Sequence, residues 1–525
     1  MTQATARSAD NLDVSSAYEP AHLALARALE TIGRRAEAAN AYEAAVRSDA
    51  NSPEARLGLA RVLSALGRTG EAFEQADAVL WLEPENVAAW ALVAEALAAL
   101  GEVGFAAQAC ARAVQLAPEA ADLAVRWGQL LEAAEKPSEA AAAYQQALAR
   151  APSLIASAEA HASLSRMYGK AGQFVEARAQ AEATLALVPN HQGAWQNLAA
   201  ICDHEGLLDE AQAHRERAYR GRALIVERSN NPVRRVMTIA SAQRANAPDR
   251  YLIPAARYDR LLWFAAYGDA PPTTDCDVVF NAVADADCAS ALSLRLALFT
   301  QSCGRPVLNP PERVALTARD AAASLFAETP DLVVPQVRRA QESLDCAGLA
   351  PGEWLLRPVG AHGGEGLERL ALEDVGGRLN GRPYYLTRFH DFRSPDGYYR
   401  KYRMIFIDRV AFPYHLAIHN DWLVHYQSSL TPGRVDFREE ERRFLDTPRA
   451  VLGDAAYEAI AEIGRRLDLD FAGVDFAVLP DGRALLFEAN ATMFVHDEPQ
   501  GGPLGFKNRY VRRILEAFQA RLESA

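Results

Sequence analysis

A 34-residue interval constrains this chain more than any other feature. Gly33, Gly67 and Gly101 follow one another at that spacing, and Glu135 fills the next equivalent slot. After a three-residue slip, Gly172 and Gly206 resume the interval. Five residues after each marker stands a small residue: Ala38, Ala72, Ala106, Ala140, Ala177 and Ala211. Seventeen after it, four of the six units carry Pro84, Pro118, Pro152 and Pro189, and Trp90 and Trp195 stand eleven before their glycines. Residues 18–222 are rich in Ala, Leu and Glu at helical spacing. A period of this length means stacked helix-turn-helix units, none of which buries its apolar face alone.

The positions explain one another. Glycine ends the first helix of a unit in a left-handed turn, the alanine lets the two helices approach closely, and proline stops the second helix. The pattern resembles the tetratricopeptide repeat. That resemblance implies six units over 18–222, wound into a right-handed superhelix whose concave groove takes a peptide or protein segment. A generic Ala-rich helical bundle is the competing reading. Residues 1–17 fall outside the pattern and are expected to be disordered.

The composition narrows the function classes. A net charge of -13 disfavours a general nucleic-acid binder. Apolar runs stay far below the ~18 residues of a membrane span, and the first residues lack the basic-then-apolar order of a secretory signal. A cytoplasmic protein without membrane contact is therefore expected. The six cysteines form no Cys-x-x-Cys pair, which speaks against a zinc site or a disulfide framework. Lysine occurs only at Lys136, Lys170, Lys401 and Lys507, so arginine carries nearly all the positive charge.

Beyond a linker expected over 223–235, the pattern changes to short β-branched and aromatic runs between Gly, Pro and Asp. Val233–Ile239, Cys276–Asn281 and Arg305–Leu308 read as strands, and Cys288–Thr300 and Arg313–Phe326 as helices, which makes 236–330 a small α/β domain with a partly parallel sheet. From 331 to 525, longer strands and hairpins dominate.

The chemistry concentrates late in the chain. Gly473-Val-Asp475-Phe476 and Leu486-Phe-Glu488-Ala-Asn490 flank the turn dipeptide Asp481-Gly482 and read as an antiparallel hairpin. Asp475 and Glu488 then oppose each other, with Asn490 on the face of Glu488. Two carboxylates and an amide oxygen are a hard-oxygen set suited to Mg²⁺, and buried acids left unpaired would be costly, so a cation is expected. Upstream, Glu353–Pro358 reads as a strand that enters a loop with Gly363, Gly364 and Gly366, and another strand follows from Leu367. Such a loop presents backbone N–H groups to phosphate, although a mobile hairpin without function has the same composition. Arg357, at its start, offers a cation to an anion. In Tyr384–Phe389, apolar residues would sandwich a planar base, and the backbone of Arg388, Phe389 and His390 would meet its edge; an ordinary core strand reads alike. Lys401 and Arg403 share one face of the strand over 398–407, and Arg400 faces the other way.

In this order, residues 235–520 resemble the ATP-grasp superfamily, in particular the glutathione synthetase and ribosomal-protein glutamate ligase group. The resemblance is carried by Asp277–Asn281, the turn Gly304–Pro310, Arg357-Pro358 with the Gly360–Gly366 loop, and Gly473-Val-Asp475 with Glu488-Ala-Asn490. It implies an α/β pre-grasp domain before an α+β ATP-grasp fold. It also implies ATP as the nucleotide, two Mg²⁺ ions held by Asp475, Glu488 and Asn490, and Arg357, Lys401 and Arg403 against phosphate and acyl phosphate. The chain departs from the family where lysines are usual: Arg357 ends the strand before the glycine loop, and Arg319 is the nearest cation in the helix after the Asn-Pro turn. Lys401 replaces an acidic residue. Arginine keeps the charge but presents a planar fork.

His415, His419 and His425 fall within eleven residues, and His496 follows the hairpin. A transition-metal site, pocket contacts and ordinary strand histidines are all open, and no Cys or carboxylate nearby completes a ligand set. Three functions follow. The first is an ADP-forming carboxylate–amine ligase acting on a peptide or protein recruited by the repeats. The second is a non-catalytic scaffold that senses ATP, and the third is a small-molecule kinase on the same fold.

Overall fold

The computed structural model describes residues 14–150, 153–229, 231–241, 249–268, 272, 275–283, 286–345, 347–361, 364, 366–425, 428–499 and 501–525. They divide into two compact units, one ending at Ala218 and one starting at Tyr219.

The first unit is all helical. Its pairs are α1 (Val14–Thr31) with α2 (Arg35–Ser48), α3 (Pro53–Ala65) with α4 (Thr69–Leu82), and α5 (Val87–Ala99) with α6 (Val103–Leu116). Then come α7 (Ala121–Ala133) with α8 (Pro137–Leu148), α9 (Leu154–Lys170) with α10 (Phe174–Leu187), and α11 (Gln192–Glu205) with α12 (Leu208–Tyr219). The five marker glycines all take positive φ, and Glu135 takes φ 59° in the same slot, so the repeat geometry overrides its Cβ penalty. The six small residues five positions later are almost wholly buried. Two tyrosine rings fill the space that glycines leave between helices: a Cβ on Gly58 would lie 2.2 Å from the Tyr42 ring, and one on Gly128 2.6 Å from Tyr144. Trp90 and Trp195 have a local task, each donating its indole N–H at 2.9 Å to the carbonyl of the preceding loop proline, Pro84 or Pro189. Residues 1–13 of the expected disordered segment lie outside the described residues, and 14–17 are already helix.

The second unit is a mixed α/β region with three sheets. It begins with β1 (Leu224–Glu227), β2 (Arg234–Ala240), α13 (Asp249–Leu252), β3 (Tyr258–Phe264), β4 (Val278–Asn281), α14 (Ala286–Ser302) and β5 (Val307–Leu308). The first sheet runs β1-β3-β2-β4-β5, parallel except for β1. The segment expected as a linker over 223–235 therefore differs: it supplies an edge strand and the start of another. Arg228 and the Ser229 N–H bind the buried Asp259 carboxylate at 2.6 and 2.9 Å, and Glu227 pairs with Arg260 at 2.8 Å. The helix expected over Arg313–Phe326 is broken by a 3-10 turn into α15 (Pro311–Val314) and α16 (Arg319–Phe326), so that Arg319 opens α16.

The remaining strands are β6 (Leu332–Val333), β7 (Val337–Ala340), β8 (Glu353–Pro358), β9 (Glu368–Ala371) and β10 (Tyr384–Arg388), then β11 (Tyr399–Ile407) and β12 (Val410–His419). After α17 (Val435–Asp446), α18 (Pro448–Leu452) and α19 (Asp454–Leu467) come β13 (Phe471–Val478), β14 (Ala484–Asn490) and α20 (Asn508–Ser524). One sheet runs β7-β10-β8-β9 and the other β12-β11-β13-β14-β6.

Two polar ties position this last sheet. Asn309, buried in the Asn-Pro turn at φ 56°, accepts from the Asp470 and Phe471 N–H groups at 2.9 Å each. Its amide donates to the Phe471 and Ala491 carbonyls at 2.8 Å, so one side chain clamps the start of β13 to the end of β14. At the other end, Arg234 on β2 donates to the Ala525 carbonyl at 2.9 Å across 291 residues, and Tyr258 and Arg257 both bind Glu523 at 2.7 Å.

Candidate functional site

The β13–β14 hairpin forms in the expected register, with Asp475 directly opposite Glu488 and Gly473 opposite Asn490. β11 pairs Arg403 with Asp475 on one side and with His415 of β12 on the other. A single cross-strand row therefore reads His415, Arg403, Asp475, Glu488, and Lys401 lies two residues from Arg403 on the same face.

The acids are not unpaired. Asp475 is 1% exposed, and both its oxygens accept from the Arg403 fork at 2.6 and 2.8 Å, with Lys401 Nζ at 3.2 Å. Glu488 accepts from Arg319, which also donates to the Phe487 carbonyl at 3.1 Å, and Arg357 approaches Glu488 to 3.7 Å. Arg400 faces away, bound to Asp396 and Glu440. Burial pushes the Asp475 carboxyl up, but Arg403 and Lys401 outweigh it and hold the group well below the usual carboxylate range. Burial likewise raises Glu488, and Arg319 with Arg357 brings it below its usual value. Arg357, deeply buried beside Arg319 with no hydrogen bond among the described residues, is pushed down to about 10 by burial first and by Arg319 second.

Two β-bulges border this row. Arg403 pairs with His415 but Met404 with Pro413, so Tyr414 is the extra residue of β12; Asp475 pairs with Glu488 but Phe476 with Leu486, so Phe487 is the extra residue of β14. A bulge breaks the alternation of faces and re-aims a side chain. Both extra residues border the same cavity as their neighbours His415 and Glu488. Sequence reasoning missed both, because an aromatic next to a polar residue reads as ordinary alternation.

That cavity holds about 700 Å³. Of the residues expected at the site, Arg319, Arg357, Gly364, Arg388, Phe389, His390, Lys401, Arg403, Asp475 and Glu488 border it. Gly366 and Asn490 do not, and Gly363 lies outside the described residues. Four cationic side chains, Arg319, Arg357, Lys401 and Arg403, thus face two carboxylates. A Cβ on Gly364, at φ 82°, would fall 2.4 Å from the His425 ring, so glycine is needed there for the loop to reach this wall.

The expected base-edge contacts need one correction. The Arg388 N–H donates to the Gln336 carbonyl at 2.9 Å and the Phe389 N–H to the Glu353 carbonyl at 3.0 Å, both bonds to segments flanking β10. Those two donors are used. The Arg388 side chain lies on the other face of β10, its guanidinium 6.0 Å over the Trp354 ring and its buried Nη1 without a partner among the described residues. Phe389 and Trp422 meet edge to face at 5.7 Å and give the cavity an apolar wall suited to a planar group.

His415, His425 and His496 border the cavity, whereas His419 turns to accept the Asp421 N–H at 3.0 Å. Burial, then Lys507 and Arg403, holds His415 well below the usual imidazole value; burial and Lys401 lower His425, and burial and Lys507 lower His496. Among the described residues, His, Cys and carboxylate groups close enough to share an ion occur at Cys202, Glu210 and His214 of α11 and α12, not at these histidines. There the Arg178 guanidinium stands 3.9 Å from the Cys202 sulfur, a poor neighbour for a metal ion. Asp475 and Glu488 are hard-oxygen donors in direct opposition and fit Mg²⁺ by ligand type. No helix of the described residues is long and apolar enough to cross a membrane.

The tetratricopeptide repeat family matches residues 23–81. The N-terminal helix pairs are tetratricopeptide repeats. Similar solved structures include PilF of Pseudomonas aeruginosa, 17% identical over 38% of this chain and 90% of its own, with a TM-score of 0.34. A thermophilic tetratricopeptide protein of Thermus thermophilus is 24% identical over 37% of this chain and 99% of its own, at 0.28. MamA of Desulfovibrio magneticus is 20% identical over 32% and 94%, at 0.30. No curated protein matches this chain.

Proposed function

We propose that this chain is a ligase of the ATP-grasp type, joining a carboxylate to an amine with release of ADP, and that its repeats bring a peptide or protein to that reaction. The observation that carries the reading is the cavity in which Arg319, Arg357, Lys401 and Arg403 outnumber Asp475 and Glu488. A buried excess of positive charge calls for a polyanion, and the glycine-bearing loop with the Phe389–Trp422 wall suits a nucleotide.

In this reading the substrate carboxylate takes the γ-phosphoryl of ATP, and the amine then displaces phosphate. The obstacle is charge, since a carboxylate must approach a phosphate of the same sign. Arg357, Lys401 and Arg403 lower that repulsion from three directions, and their fixed strands spare reorganisation at the moment of transfer. Asp475 orients Arg403 and Lys401 through its paired oxygens. Asp475 and Glu488 would hold Mg²⁺, which supplies Lewis-acid stabilisation of the transferring phosphoryl group. The loop around Gly364 shields the activated acyl group from water.

The test is nucleotide turnover by the purified chain with Mg²⁺, screened against fractions of a cell extract, with the products weighed. ADP and phosphate release coupled to a mass gain on a peptide or small acid is expected, and Glu488→Gln should abolish it while leaving the fold intact. ATP consumption by that variant at the wild-type rate would sink the assignment. Removing residues 1–218, which leaves Tyr219 against the Phe264 ring and stacked on Tyr267, should raise the KM for a peptide substrate and spare ATP binding. An unchanged KM would limit the repeats to assembly or regulation.

A second reading has one observation in its favour. Both carboxylates already have chain cations as partners, an arrangement that also serves a scaffold binding nucleotide without turnover. Tight ATP binding with no substrate-stimulated hydrolysis would select it.

A further inference from the structure

The ion cluster of the candidate site is unbalanced in a way that dictates how a metal can enter. Arg319, Arg357, Lys401 and Arg403 contribute four positive charges, and Asp475 and Glu488 two negative ones. A divalent ion arriving alone would double the buried excess, from two charges to four, and meet Asp475 with both oxygens taken and Glu488 with its Oε2 held by Arg319. A polyphosphate reverses this. It gives the cations a new partner, frees carboxylate oxygens, and brings enough negative charge to hold the ion.

The two carboxylates differ in how readily they let go. Arg403 grips both oxygens of Asp475 from a neighbouring strand, deep in the sheet. Arg319 is the first residue of α16, outside that sheet, and binds Glu488 together with the adjacent Phe487 carbonyl. Its guanidinium also borders the cavity, 22% exposed, so it can exchange carboxylate for phosphate by rotating its own side chain.

On the strength of the proposed ATP-dependent reading, we infer that a divalent metal and the nucleotide bind this site only as a coupled pair, with Arg319 holding Glu488 until nucleotide phosphate takes the guanidinium over. Arg319 is thus a positioning residue whose Glu488 contact excludes free metal. The coupling is reciprocal: metal must strengthen nucleotide binding by the same factor as nucleotide strengthens metal binding.

The experiment titrates Mn²⁺ into the full chain and follows the free ion by its paramagnetic resonance signal, with and without the ATP analogue AMP-PNP. The analogue's own Mn²⁺ binding is subtracted, and calorimetry reports AMP-PNP binding separately. Wild-type protein should leave free Mn²⁺ unchanged until AMP-PNP is present. Arg319→Gln should bind Mn²⁺ without nucleotide about 10-fold more tightly than wild type, and Arg319→Lys should restore exclusion. Equal Mn²⁺ affinity of the wild-type chain with and without AMP-PNP overturns the inference while leaving the nucleotide reading standing. So does an Arg319→Gln variant with unchanged affinity for the metal alone. Absence of AMP-PNP binding in every condition overturns both.

Discussion

Asp475→Asn isolates the central ion pair of the site. The substitution keeps shape and removes one charge, leaving Arg403 and Lys401 facing a neutral amide. Breaking a buried pair by removing one partner costs about 3–5 kcal/mol. Here the lower end applies, because Arg403 and Lys401 are 19% and 17% exposed towards the cavity and regain some water. Unfolding entropy near 60 °C is ~2.1 cal/mol/K per residue, and the C-terminal unit has about 300 residues, giving ~0.6 kcal/mol/K. A loss of about 3 kcal/mol then lowers its melting temperature by ~5 °C. Scanning calorimetry of the full chain should show this shift in the C-terminal transition only. Tripolyphosphate should recover part of it, since the anion replaces the lost charge. A shift below ~1 °C would refute the reasoning, because it would mean that the cavity water already solvates both cations and the pair contributes nothing net.

Three further outcomes follow from the same geometry. Gly128→Ala forces a Cβ into the Tyr144 ring and should destabilise the repeat unit by about 1–3 kcal/mol, read as a lower first melting transition with the second unmoved. Arg357→Met should weaken AMP-PNP binding by about 10-fold or more in calorimetry without lowering the C-terminal melting temperature, since among the described residues its guanidinium forms no hydrogen bond to lose. Stability of the C-terminal unit should fall with acidification in two stages. Both His415 and Asp475 have folded-state values below their unfolded ones, so each contributes stability above its unfolded pKa and loses it as pH falls. The losses therefore begin below about pH 6.5 for His415 and below about 4 for Asp475; melting temperatures across that range should show both, and His415→Gln should shrink the first, which His425 and His496 share.

The site's centre was legible because its chemistry is local. The Asp481-Gly482 turn sets the hairpin as far as Phe476 opposite Leu486, and the bulge at Phe487 then brings Glu488 opposite Asp475. Glu135 was legible for the opposite reason, since its neighbours' spacing outweighed its own preference. The strand β3 escaped notice because Asp259 and Arg260 interrupt its apolar run, and their partners, Arg228 and Glu227, lie some thirty residues earlier in what composition presents as a linker. Spacing also implied unpaired acids at the hairpin. It could not show that strands and helices from Arg319 to Arg403 deliver four cations to them, nor that two bulges turn Tyr414 and Phe487 to the cavity.

The bond from Arg234 to the last carbonyls sets a timetable. The helices of the repeats pack on the next helix or the one after, so that half completes as it leaves the ribosome. The first sheet of the C-terminal unit is complete only once α20 has been made, because Arg234 on β2 and Arg257 and Tyr258 at the start of β3 bind Ala525 and Glu523 at its end. A growing chain therefore owns its finished repeats well before the first sheet of its second half, and a partner those repeats took up early would be tied to a protein still being written.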